Sequence, residues 1–278
     1  MKMLADNIKT ILQKLTAHPF LEIVLRGNAA ITSALSIFPK GSTILIPQEG
    51  GWIHYKKAPL QLGLKIVEVK CDDAKINLAD LQNQLRTYQP AAFLYQNPGG
   101  YFAQQPMKEI YELCNKNQCI VIMDVSGSIG TPLCDGRYAD ILVGSFGEGK
   151  LVEAKVGGFI SCQNKEVWER AHSTVHPFHD ETSLQAIHQQ VLQLPGRIDY
   201  LQKVRKKILL DLKKSEVIYP DDIGFVVVVQ YDSEQEKKNL VDYCTRNKYP
   251  YTQCPRYIRV NKPAISIEVK KMDDAVRK

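Results

Sequence analysis

The sequence predicts an α/β protein: a mainly parallel sheet sandwiched by helices, followed by a smaller α+β domain. Three observations carry that expectation. Short apolar runs alternate with stretches of helical periodicity from about residue 20 to residue 145, as a parallel sheet with crossover helices requires. Arg26, Asn97, Asp124 and Ser145 fall at or just past the ends of four such runs, and ligands of these sheets bind outside the carboxyl ends of the strands. After residue 161 the rhythm changes to a long helical region and then to strands with an intervening helix. The expected division is a large domain over 1–195 and a small one over 196–278.

Taken in order, residues 5–16 place Ile8, Ile11, Leu12 and Leu15 on one helical face. An apolar run over 21–25 enters Arg26-Gly-Asn-Ala-Ala, where Asn28 suits an N-cap and the alanines favour helix. A strand at 43–46, a helix near 51–62 and a strand at 65–69 follow. Asn77 caps the next helix, and a strand occupies 91–95. Pro106 takes a first helical position, and a strand runs over 119–124. The polar stretch carrying His172, His176 and His179 precedes a helical region from Ser183 to about Lys214, bent at Pro195-Gly196. In the tail, 225–230 reads as a strand, 233–247 as a helix and 264–269 as an alternating strand.

Composition narrows the function classes. The 278 residues carry a net charge of +6, and the lysines are scattered over several elements, which speaks for solvated faces over a nucleic-acid track. Seven cysteines, an odd count without Cys-x-x-Cys, suggest reduced thiols in the cytoplasm. The first residues lack a signal-peptide apolar block, and no run is long enough to span a bilayer.

The chemistry concentrates at two strand exits. Asp124 closes one buried run; 26 residues later Lys150 closes Asp140-Ile-Leu-Val-Gly-Ser-Phe-Gly-Glu-Gly-Lys. An acid and an amine facing one crevice suit pyridoxal phosphate, which needs a lysine for its aldehyde and an acid for its ring nitrogen. Gly144 to Lys150 also fits the G-x-x-x-x-G-K phosphate loop. Leu151 stands where that loop needs Ser or Thr, and two glycines soon follow where it opens a helix. The three histidines lack a matching carboxylate or cysteine, and Pro177 breaks their helical spacing, so no metal is expected.

These residues resemble the fold-type I pyridoxal-phosphate enzymes, with the DegT-type sugar aminotransferases most similar. The resemblance rests on Ser145-Phe-Gly-Glu-Gly-Lys150 followed by Gly157-Gly158, and on Gly27-Asn28-Ala29-Ala30. It implies that Lys150 forms the internal aldimine and later moves the substrate's α-proton, while Asp124 faces the pyridine nitrogen. It implies further that Ser145 and the helix start at Gly27, Asn28 and Ala29 hold the phosphate. Trp52 would stack on the ring, and Asn97 would bond the ring hydroxyl. Arg256 or Arg259 would meet a substrate carboxylate. The partners implied are an amino donor and a keto acceptor, in a homodimer with its site at the subunit interface.

Two departures stand out. Val125 is bulkier than the alanine usual beneath the ring, and Gly127 replaces a usual glutamine. The chain is also shorter than the sugar aminotransferases. The expected activity is an aminotransferase acting on a small amino acid or an amino or keto sugar. The alternatives are a lyase or desulfurase on the same fold, or a non-catalytic homologue with a regulatory or scaffold role.

Overall fold

The computed structural model describes residues 2–273. Helix α1 (Lys2–Thr16) leads into β1 (Phe20–Val24) and α2 (Gly27–Leu35). These are followed by β2 (Thr43–Pro47), α3 (His54–Gln61), β3 (Lys65–Val69) and a two-residue hairpin of β4 (Cys71–Asp72) and β5 (Lys75–Ile76). Next come α4 (Leu78–Tyr88), β6 (Ala92–Gln96), α5 (Met107–Lys116), β7 (Ile120–Asp124), β8 (Ile141–Ser145) and β9 (Gly158–Cys162). The last part holds α6 (Lys165–His172), α7 (Glu181–Asp211), β10 (Val227–Gln230), α8 (Glu234–Arg246), β11 (Tyr251–Cys254) and β12 (Ala264–Ile267).

Seven strands form one sheet in the order β1-β9-β8-β7-β6-β2-β3. Only β9 is reversed: it pairs antiparallel with both β1 and β8, and the other neighbours pair parallel. The carboxyl ends of β1, β6, β7 and β8 therefore share one edge. A separate antiparallel sheet, β10-β12-β11, belongs to the last part of the chain.

Strand alternation divides the core. Phe93, Tyr95, Val121, Met123 and Leu142 pack on the face covered by α1, α4, α5 and α7. Leu94, Ile122, Ile141 and Val143 pack on the opposite face against α2, α3 and α6. Successive side chains of a strand point to opposite faces, so Asp124, two residues beyond Ile122, belongs to the α2/α3 side. So does Ser145, two residues beyond Val143.

The differences from expectation have local causes. Arg26, in extended backbone, is the residue capping α2; Asn28 lies inside the first turn. Pro106 is the residue before α5 and not its first member. The long helical region is present as expected, as the single helix α7 with Pro195 inside it. Helix α6 and strand β11 were not legible: α6 buries only Ala171, and β11 only Cys254, too little for a period to show. His172 ends α6, where its ring packs on Trp168 at 4.8 Å. Asn77 caps α4, accepting from Asp80 N. All seven cysteines are free thiols.

Candidate active site

One cavity of about 530 Å³ opens at the carboxyl edge of the large sheet, and both Asp124 and Lys150 line it. Gly27, Asn28, Trp52, Ser145, Arg256 and Arg259 line it too. Ala29 and Asn97 do not.

At one end stands the start of α2. The first N–H groups of a helix lack partners within it, and with the helix dipole they suit an anion. Close approach of this turn to β8 requires glycine, since a Cβ at Gly27 would lie 2.6 Å from Ser145 Cβ. Ser145, Gly147 and Gly157 complete this end of the lining, with Arg26 and Lys155 as nearby cations. The N–H of Ala29 already donates to Arg26 O at 3.0 Å, and Ala29 faces solvent. That geometry places Ala29 outside the cavity lining. Between β8 and β9 the chain forms a turn and no helix, unlike a nucleotide-hydrolase phosphate loop.

Asp124 sits at 5% exposure on the cavity wall. Its Oδ1 accepts from Ser126 N at 2.9 Å, and its Oδ2 accepts from the Tyr55 hydroxyl at 2.8 Å. Tyr55 on α3 is fully buried, and burial followed by the Asp124 charge pushes its phenol well above its ordinary range. It remains a donor and fixes the carboxylate.

Asn97 lies away from the cavity lining. It is completely buried on the α5 side, donating to Leu133 O at 3.3 Å and accepting from Gln105 N at 3.1 Å. Gln96 is in register with Asp124 and so shares its face. Its side chain lines the cavity with a buried Nε2 that has no hydrogen-bond partner among the described residues. The polar group beside Asp124 is Gln96, one residue before the expected one.

Lys150 extends from the turn after β8. Its Nζ donates to the Tyr101 hydroxyl and lies 5.4 Å from the Trp52 ring centroid. Trp52 is 37% exposed, and its indole N–H donates to Asn28 Oδ1 at 2.8 Å. The predicted ring-stacking residue thus stands at the cavity mouth beside the amine.

The last part of the chain contributes the remaining wall. Arg259 is 3% exposed, and its guanidinium grips Glu268, with Nε 3.1 Å from Oε1 and Nη2 2.5 Å from Oε2. Nε also donates to Ser266 Oγ at 3.0 Å. This engagement leaves Arg256, which is exposed, as the freer of the two arginines proposed for a substrate carboxylate. Burial pushes the Glu268 carboxyl up, but the charges of Arg259 and Lys270 outweigh it and hold the group at about 2.

Lys270, absent from the sequence reading, is 6% exposed and donates to Gly149 O at 3.0 Å. Arg197 on α7 braces its backbone by donating to Lys270 O at 2.9 Å. Burial above all, and then the charges of Arg259, Lys150 and Lys271, bring this amine from 10.5 down to about 7 against the pull of Glu268. Between those two values the unfolded chain binds a proton that the folded chain lacks. Stability therefore rises with pH across that window, by up to about 1.4 kcal/mol per pH unit. Melting curves from pH 7 to pH 10 should show this rise in the wild-type protein and a flatter profile in Lys270→Met; parallel profiles contradict the assignment.

Fold and cavity together define a class, the fold-type I pyridoxal-phosphate enzymes. Residues 24–203 match the DegT/DnrJ/EryC1/StrS aminotransferase family. The chain belongs to that family, which is one of pyridoxal-phosphate-dependent aminotransferases. Residues 198–276 match the MJ1341 family C-terminal domain. No curated protein matches the chain.

Among solved structures, alanine–glyoxylate aminotransferase from Nostoc sp. is similar over 97% of this chain and 83% of its own, at 13% identity and a TM-score of 0.74. The synthase of 3-amino-5-hydroxybenzoic acid is 16% identical over 95% of this chain and 85% of its own, with a TM-score of 0.74. A pyridoxal-phosphate-bound putative aminotransferase from Clostridium difficile is 12% identical over 97% of this chain and 79% of its own, again with a TM-score of 0.74. At such identities the likeness is one of fold. No helix among the described residues is long and apolar enough to cross a membrane.

Proposed function

We propose that the cavity binds pyridoxal phosphate and that the chain transfers an amino group from a donor to a keto acceptor, a small amino acid or an amino or keto sugar. The observation that carries this is the meeting of Lys150, Asp124 and the start of α2 in one cavity. The residues fit the cofactor. Gly27 lets the start of α2 approach Ser145 on β8, Asp124 offers an oriented carboxylate, and the Gln96 amide, without a partner among the described residues, offers a donor.

When bound, the cofactor supplies an aldehyde that carries the amino group and a ring that withdraws electrons. Lys150 supplies the amine that takes the aldehyde, and once released it can move the substrate's α-proton. Asp124 provides negative charge opposite the ring nitrogen. The first turn of α2 and Ser145 hold the phosphate, and Trp52 closes the mouth. Arg256 is the group best placed for a substrate anion.

A homodimer belongs to this reading. Leu25 and Ile53, 52% and 45% exposed, are chain neighbours of the cavity residues Arg26 and Trp52, so apolar surface is left for a second copy to cover. Sedimentation at micromolar protein checks it, and a monomer at that concentration counts against it.

The activity is tested by half-reactions. Adding an amino donor without acceptor should bleach the cofactor's visible absorbance, and a 2-oxo acid should restore it. Release of a 2-oxo acid or sulfide without that reversible change points to a lyase. Failure of every donor tried, with cofactor bound, removes the transferase reading.

A further inference from the structure

Tyr101 has no part in the function as set out above, yet its surroundings hold it firmly. Its backbone sits at φ +68, a left-handed conformation that costs a non-glycine residue about 1 kcal/mol or more and persists where neighbours over-determine it. The Tyr101 carbonyl accepts from Phe225 N at 2.8 Å, fastening it to the chain that enters β10. The ring lies against Gly127, where a Cβ would come within 2.6 Å of Cδ1 and 3.0 Å of Cε1. Two cations also sit by the ring, Lys270 Nζ at 4.7 Å and Arg259 Cζ at 5.3 Å from its centroid, as the negative face of an aromatic favours. The side chain is largely buried but reaches the cavity, where its hydroxyl oxygen accepts from Lys150 Nζ.

We infer that Tyr101 is a positioning residue for Lys150. This rests on the reading of Lys150 as the cofactor amine. A lysine has four side-chain torsions, and a free amine must be gathered into one place before it reacts. An acceptor fixed at the end of a rigid ring removes that search. Gly127 is part of the same device, because any side chain there would occupy the volume of the ring. The departure from the usual glutamine at 127 and the presence of the phenol are one structural fact.

Tyr101→Phe keeps the ring, its cations and its packing on Gly127, and removes only the oxygen. Mixed with pyridoxal phosphate, this variant should keep the wild-type melting temperature and the final height of the absorbance band. The band should grow about tenfold more slowly, as expected for loss of one hydrogen bond, and its maximum should be displaced. Gly127→Ala leaves the hydroxyl in place but pushes the ring, so it should slow the same step. In the Tyr101→Phe background it should add no further slowing.

Wild-type uptake rate and band position in Tyr101→Phe overturn this inference while leaving Lys150 as the cofactor amine. Fully additive slowing in the double variant also overturns it. No band in the wild-type protein overturns the cofactor reading itself.

Discussion

Replacing Asp124 with asparagine is expected to lower turnover about a hundred- to a thousandfold while leaving the cofactor-free protein as stable as wild type or slightly more so. The opposite signs follow from one cause. At 5% exposure the carboxylate has a tyrosine hydroxyl and a backbone N–H as its hydrogen-bond partners. Both are neutral donors, and burying an anion is costly. Asparagine keeps an oxygen for Tyr55 or Ser126 and removes that cost. With cofactor bound, the same negative charge is what the protonated ring nitrogen requires, and charges preorganised in a low-dielectric site contribute on the scale given. Turnover with the donor found active, set beside melting of the cofactor-free protein, separates the two effects. Unchanged turnover contradicts the role of Asp124.

The second large effect is structural. Glu268→Gln is expected to destabilise the protein by about 3–5 kcal/mol, because it leaves Arg259 as a buried cation without its anion. Gln is nearly isosteric, so packing is preserved and the charge is isolated as the cause. The sign with pH is fixed by the depressed carboxyl: its contribution is complete above about 4.5, the ordinary value, and is lost as pH falls toward about 2. Urea titration at pH 7 should show the full difference, and the gap between wild type and variant should narrow progressively below pH 4.5. A difference below about 1 kcal/mol at pH 7, or one independent of pH, contradicts the account.

How much of this was legible in the sequence depends on which physical signal carried each residue. Asp124 and Ser145 each end a buried run, and strand ends are where a parallel sheet exposes chemistry, so chain position alone located them. Asn97 falls outside the cavity lining, and Gln96 within it, for a definite reason. Strand β6 is buried on both faces, and such a strand reads as a continuous apolar run without alternation. The run therefore marks the strand but hides its phase, and the phase decides between Gln96 and Asn97. Asn28 was misplaced as a cap because backbone geometry, not side-chain type, makes Arg26 the boundary of α2.

Tyr55, Tyr101, Glu268 and Lys270 had no sequence signal of this kind. Three of them acquire their meaning through a partner far along the chain, Tyr55 through Asp124, Tyr101 through Lys150 and Lys270 through Gly149, and Glu268 acquires its own through Arg259 on the other side of β12. Periodicity encodes local faces and not these encounters. One trace is present in the sequence, the glycine at 127, whose cause is the ring of Tyr101 in the space a side chain would take.

The central claim is that Lys150, and no other amine, joins the cofactor in the cavity it shares with Asp124. Lys270 is a demanding control, since its Nζ and that of Lys150 each lie 4.7 Å from the centroid of the Tyr101 ring. Borohydride reduction of the protein loaded with pyridoxal phosphate, followed by proteolysis and mass mapping, reads the answer directly. The account predicts the pyridoxyl mass on the peptide containing Lys150 and its loss in Lys150→Ala. A tag on Lys270, on another lysine, or on none would contradict it.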